Sequence, residues 1–170
     1  MSSLSGIRII EFCEIAAGPY CGMLLADMGA DVIKVERASG DAMRTWPPAN
    51  DGYSENFASI NRGKRSVVLD LKSPEGVANA RRLILSADAV IENFRPGVMK
   101  RNGLDYQSLS AEKPDLIYCS ISAFGQSGPR TSEGGFDLGN SKYGCNPKNF
   151  HFKQSKRICI ILVRKRTRTK

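Results

Sequence analysis

Within its first 36 residues the chain runs from an apolar β-branched stretch through a helical repeat to a second apolar stretch, and this order constrains the fold more than any other feature. Ile7-Arg8-Ile9-Ile10-Glu11-Phe12 has the composition of a strand. Ala16-Ala17-Gly18-Pro19 follows. Cys21, Leu24, Leu25 and Met28 then recur at i, i+3, i+4 and i+7, the spacing of one buried helix face. Pro19 suits a first helical position and Gly29 a C-terminal stop. Residues 31–36 form the second apolar run. A strand, helix and strand in so few residues make a βαβ unit, so the two strands should lie parallel.

The alternation continues. A polar stretch over 39–52, with Pro47-Pro48 and Asp51-Gly52, reads as a loop or excursion. Residues 66–71 form a third strand. Ser73 can cap a helix that has Pro74 at its first position and Val77, Ala80, Leu83, Ile84 and Ala87 on one face. A short fourth strand at 89–92 leads to a turn at 93–97, and short helices through Met99 and near 106–111 precede a fifth strand at 116–122. There are no internal repeats. The pattern predicts an α/β domain on a mostly parallel sheet.

Composition fits such a domain, since 170 residues can bury a real core and 25% charged residues are ordinary for a globular chain. Charge is unevenly spread. Lys and Arg number 15 against 17 Asp and Glu in residues 1–137, but 10 against none in residues 138–170. The formal +8 therefore belongs to the tail and describes no surface of the folded part. Five cysteines, an odd number without close pairing, favour reduced thiols and a cytoplasmic setting over a disulfide framework or zinc site. The single histidine, His151, lies in the tail, which argues against a histidine metal site or triad. The first residues show no secretory pattern, and the apolar run at 158–163 is far shorter than the roughly 20 residues that cross a bilayer.

Ligands of open α/β sheets bind beyond the carboxyl ends of the strands. Arg37 follows the second strand, Lys72 the third, and Arg101 lies in the helix after the fourth; Asn93 and Phe94 follow that strand directly. The small-residue loop after the first strand lets a ligand approach backbone, with helix amides just beyond. Together these suit a phosphorylated nucleotide, although strand-end cations are more often simply solvated. A dinucleotide site is a weaker expectation: there is no G-x-G-x-x-G, and Glu36 with Arg37 is thin evidence for ribose recognition.

Several longer segments, taken in order, carry a resemblance. They are Ala16-Ala17-Gly18-Pro19, Asp31-Val32-Ile33-Lys34-Val35-Glu36-Arg37, Asn61-Arg62-Gly63-Lys64-Arg65 with the strand that follows to Lys72, Glu92-Asn93-Phe94-Arg95-Pro96-Gly97, and residues 118–129. Over residues 5–138 the chain resembles the class III CoA-transferases, the CaiB/BaiF family, which includes formyl-CoA and carnitine CoA-transferases. The resemblance implies a Rossmann-like large domain, a second small domain and interlocked homodimers. Its substrates would be an acyl-CoA and a carboxylic acid, with coenzyme A as substrate and no permanently bound cofactor or metal. Ile15, Ala16 and Ala17 would line the CoA path, Arg37 and Lys72 would meet phosphates, Leu69, Asn93 and Phe94 would surround adenosine and pantetheine, and Arg101 would add charge.

The same resemblance implies an aspartate nucleophile some way after Phe136, where this chain has no carboxylate beyond Asp137. No catalytic residue is therefore assigned, and the chain is expected to be inactive. A fragment of an α-methylacyl-CoA racemase-like enzyme is an alternative, but that branch would carry histidine where Phe136 stands. Residues 1–138 are expected to be the family region and 139–170 an irregular basic tail of non-family character. A frame shift, altered splice or truncation accounts for the joint loss of family pattern and acidic residues. In the rival reading, the tail with Tyr143, Phe150 and Phe152 is a nucleic-acid-binding arm on a non-catalytic CoA-binding-like domain. Nucleic acid is the less favoured partner, because charge runs are usually solvated, and no membrane partner is expected.

Overall fold

A computed structural model describes residues 2–133 and the backbone of a strand at 159–163. Five strands lie parallel: β1 (Arg8–Phe12), β2 (Asp31–Glu36), β5 (Arg65–Val68), β6 (Ala89–Glu92) and β7 (Ile117–Ser122). Each starts within one residue of where its apolar run begins. A sixth, β8 (Cys159–Val163), pairs antiparallel with β7, so the sheet order is β5-β2-β1-β6-β7-β8. The basic tail thus contributes a strand, where its sequence shows only one isolated apolar run. The two runs abut as an edge ladder, with Cys119 opposite Leu162.

Side chains alternate across the sheet and build two cores. Ile10, Phe12, Ile33, Val35 and Val90 face α3 (Pro74–Leu85), α4 (Val98–Arg101) and α5 (Tyr106–Leu109). Ile9, Val32, Ile91 and Ile121 face the other way, toward α1 (Ala17–Asp27). The result is helix, sheet and helix in three layers. The start of α3 is as the sequence implies: the Ser73 hydroxyl accepts from the Gly76 amide at 3.0 Å, and Pro74 takes the first turn, where its missing N–H is no loss.

α1 departs from expectation in its orientation. Its buried residues are Gly18, Pro19, Gly22 and Met23, while Leu24 and Met28 are 44% and 47% exposed. The glycines decide this. A Cβ on Gly22 would stand 1.8 Å from Oε2 of Glu11, and one on Gly18 would stand 2.3 Å from the Cys13 sulfur. The helix lies so close to the sheet along its glycine edge that Leu24 and Met28 are turned outward, while Cys21 and Leu25 keep partial contact with the core. Pro19 is accordingly the third helical residue, not the first, and Gly29, at φ +97°, follows the C-cap Met28 as the stop.

The excursion after β2 is more ordered than its polar composition suggests. It holds a 3₁₀ turn (Ala42–Thr45), a two-residue hairpin of β3 (Ala49–Asn50) with β4 (Tyr53–Ser54), and α2 (Glu55–Asn61). α2 has no fully buried residue and so leaves no periodic signature. Its N-cap Ser54 accepts from the Phe57 amide. Among the described residues no helix is long and apolar enough to cross a membrane.

Candidate functional site

The chain builds β2 and β5 to one side of β1, then returns to build β6 and β7 on the other. This reversal opens a crevice between the carboxyl ends of β1 and β6, where open α/β sheets hold ligands. The carboxyl ends of β5, β2, β1 and β6 follow one another across roughly 14 Å at the usual strand spacing. All nine candidate residues fall on this edge or on the segments leaving it.

Asn93 bridges the segments that leave β1 and β6. Its amide donates to Phe12 O at 3.2 Å and its Nδ2 to Glu14 O at 2.8 Å, while Oδ1 accepts from the Glu14 amide at 2.9 Å. These bonds tie the two diverging loops together, so Asn93 is committed to structure as well as to any ligand. Phe94 is half-buried against the α3-side core and donates its amide to Glu92 at 3.0 Å. Leu69 donates to the Glu36 carbonyl and packs on the same core.

Ile15 has φ +69°, a left-handed conformation unusual for a β-branched residue. It turns the chain so that Ala16 and Ala17 are exposed at the head of α1. That helix start has no side-chain cap and no acidic residue in its first turn, which leaves its amides open to an anion.

The cations do not all behave alike. Lys72 and Arg101 line one open groove of about 430 Å³ with Ser73, Pro74, Val77 and Arg81. Neither has an ion-pair partner among the described residues. Arg37 instead reaches Glu14 at 3.5 Å and the Gly40 carbonyl at 3.1 Å, so it is exposed but already partnered. Arg81, which carries no sequence expectation, is brought to the groove by its position on α3. It donates to Glu112 and to the carbonyls of Gly103 and Ser108. Its only sequence signal was a charge between apolar helix positions.

Beneath the loop lies a buried polar cluster on the α1 side of the sheet. Glu11 of β1 and Lys34 of β2 are register partners. The Lys34 ammonium reaches Glu11 at 3.2 Å, Asp41 at 2.9 Å and the Cys13 carbonyl at 2.6 Å. Lys64 reaches the same Glu11 carboxylate at 2.8 Å, Pro19 O at 2.7 Å and Asn61 at 2.9 Å. Burial works against both ammonium charges. Glu11 and Asp41 outweigh it at Lys34, whose pKa is raised, whereas at Lys64 burial prevails and the pKa falls. Opposite charges inside two adjacent apolar strands were the available signal, but only parallel register makes them a pair.

Glu36 is spent internally. Arg44 donates to both its oxygens at 2.6 and 2.7 Å, and the Ser66 hydroxyl and Asp41 amide add two bonds. It has little left for a ribose. Cys13, Cys21 and Cys119 are free thiols, and burial raises all three pKa values, Cys119 to about 11, so thiolate chemistry near neutrality is disfavoured. Among the described residues no group of three or more His, Cys, Asp or Glu is placed to hold a metal. Phe136, Asp137, His151 and the aromatic residues of the tail lie outside the described residues.

Known proteins extend this picture. A succinate–glutarate CoA-transferase of Agrobacterium fabrum is 53% identical over 142 residues, 79% of this chain and 36% of its own length. A succinyl-CoA:mesaconate CoA-transferase of Haloarcula hispanica is 48% identical over 138 residues, 78% of this chain and 34% of its own. The chain spans about a third of the curated relatives it matches. The crystal structure of a CAIB/BAIF family protein from Brucella suis superposes with a TM-score of 0.78 at 45% identity, covering 84% of this chain and 39% of that one. Rv3272 of Mycobacterium tuberculosis gives 0.80 at 36%, covering 95% and 45%. The family model described as CoA-transferase family III matches residues 4–144, most of the chain. The chain belongs to CoA-transferase family III.

Proposed function

We propose that residues 1–138 provide the coenzyme A-binding part of an enzyme that moves CoA between an acyl-CoA thioester and a carboxylic acid. The observation that carries this is the conjunction, on one sheet edge, of an uncapped helix start behind Ala16 and Ala17 with Lys72 and Arg101, neither ion-paired among the described residues, in one groove. Two kinds of phosphate contact are then available, backbone amides and charged side chains. Ile15, Leu69, Asn93 and Phe94 supply the less polar surface between them, and Arg37 meets phosphate only by leaving Glu14. The relatives' names support small dicarboxylic acids as the exchanged acyl groups. A homodimer is part of the same reading.

Transfer needs a carboxylate to carry the acyl group; the family resemblance places it after Phe136, and residues 138–170 contain none. The chain as it stands binds CoA without turning it over. An amide correlation spectrum recorded during CoA titration tests the binding claim. Shifts should concentrate at residues 15–17, 69–73, 93–94 and 101. Shifts confined to the Trp46–Asn61 excursion, or none at all, would refute it.

A further inference from the structure

The CoA reading leaves one built feature without a use, the buried polar cluster under the first loop. The inference drawn from it rests on that reading. A continuous chain of contacts runs Arg44–Glu36–Asp41–Lys34–Glu11–Lys64, with three carboxylates and three cations. The opposite face of the sheet is apolar at the equivalent positions Ile10, Phe12, Ile33 and Val35. Core filling alone would not require charge here, and burying charge is unfavourable unless each group is met.

The contacts that leave the cluster converge on one short piece of backbone. Lys34 Nζ donates to the Cys13 carbonyl at 2.6 Å. The Ile15 amide donates to both Asp41 oxygens at 3.3 Å, an even fork across the carboxylate. Lys64 Nζ donates to Pro19 O at 2.7 Å, on the first turn of α1. Between these grips lies Ile15 at φ +69°, a conformation that costs energy for a β-branched residue and persists only when its surroundings impose it. Asp41 is itself fixed by its amide to Glu36 at 2.9 Å and by the Met43 amide at 2.9 Å.

We propose that Lys34 and Asp41 are positioning residues for the coenzyme site: from inside the sheet they hold the Cys13–Ala17 backbone in its left-handed turn, so that Ala16 and Ala17 stand as a preformed surface for CoA. A preformed loop loses less ordering entropy on binding than one that must be fixed by the ligand. Neither residue touches the coenzyme. A role limited to stability would change the melting temperature and leave the affinity of the folded chain unaltered.

The test uses the 170-residue chain, with CoA as probe, and two readouts: amide hydrogen exchange without ligand, and CoA affinity by calorimetry. In the native chain the Ile15 amide should exchange about tenfold or more slowly than those of Ala16 and Ala17, as one specific hydrogen bond to a charged acceptor implies. Asp41→Ala should abolish that difference and weaken CoA about tenfold, while Ile10 and Val90 keep their protection. Asp41→Asn, which retains an accepting oxygen, should lose less. Lys34→Met combined with Asp41→Leu removes both charges together and carries the test if a single substitution prevents folding. Equal exchange of Ile15 and Ala16 in the native chain would overturn the proposal without any variant. So would loosened exchange with unchanged CoA affinity. A native chain with a protected Ile15 that binds no CoA would instead refute the coenzyme reading of the site.

Discussion

The Glu36 side chain is only 2% exposed at the carboxyl end of β2, and burial by itself pushes its pKa up. Hydrogen bonds from Arg44, Ser66 and the Asp41 amide overcome that and hold its pKa at about 2, below the ordinary 4.5. A depressed carboxylate contributes stability that is fully present above pH 4.5 and lost as pH falls toward 2. The contribution is roughly 3 kcal/mol. Glu92 runs the other way: it is also buried, has no cation partner among the described residues, and burial raises its pKa despite bonds from Ser120 and the Phe94 amide. Its favourable contribution is present below pH 4.5 and fades as pH rises through the raised value. Glu36→Gln should therefore flatten the acid limb of a melting-temperature profile between pH 4.5 and 2. A limb as steep as the native one would show that other carboxylates govern acid unfolding. None of this was legible from Glu36 in the sequence, where it is one charge beside Arg37. Its partners come from five, eight and thirty residues on.

α1 is the element whose packing departs furthest from its pattern. Counting apolar residues at helical spacing points to Cys21, Leu24, Leu25 and Met28; Cys21 and Leu25 do pack on the core, but the face is rotated away from Leu24 and Met28 because glycine sets where the helix can approach the sheet and the Glu11 carboxylate. Gly22→Ala should cost about 3 kcal/mol or more in urea denaturation, since Glu11 is gripped by two lysines and cannot yield. Leu24→Gln should stay within about 0.5 kcal/mol, against the several expected for a core leucine. A large loss at Leu24 and none at Gly22 would reverse the assignment of faces. α3 follows its sequence pattern because its signals are local: a capping serine, a proline at the first position and apolar residues down one side. Ser73→Ala should cost about 1 kcal/mol by the same measurement.

At the scale of the molecule, the order of strands and helices was legible because each βα step carries its own periodicity. Where the chain reverses, between β1 and β6, is not written in that order and is a property of the sheet topology. Only the outline of the candidate site was legible. Lys72 and Arg101 do share a groove, 29 positions apart in the sequence, whereas Arg37 is turned toward Glu14 and Asn93 is tied to the β1 loop. Which cations are partnered depends on side chains that arrive from other elements, and no spacing rule encodes that. Mass spectrometry of the chain incubated with acyl-CoA and dicarboxylic acids should show no covalent acyl or CoA adduct. A stoichiometric adduct with turnover would overturn the proposal that the chain binds without transferring.

The central claim, that CoA binds along this rim through Lys72, Arg101 and the head of α1, is tested most directly by calorimetric titration of CoA at low and high salt into the native chain and into a Lys72→Ala/Arg101→Ala variant. The native chain should bind saturably, with affinity falling as salt rises, and the variant should bind at least about tenfold more weakly. No saturable binding, or an affinity indifferent to both the substitutions and the salt, would contradict the account.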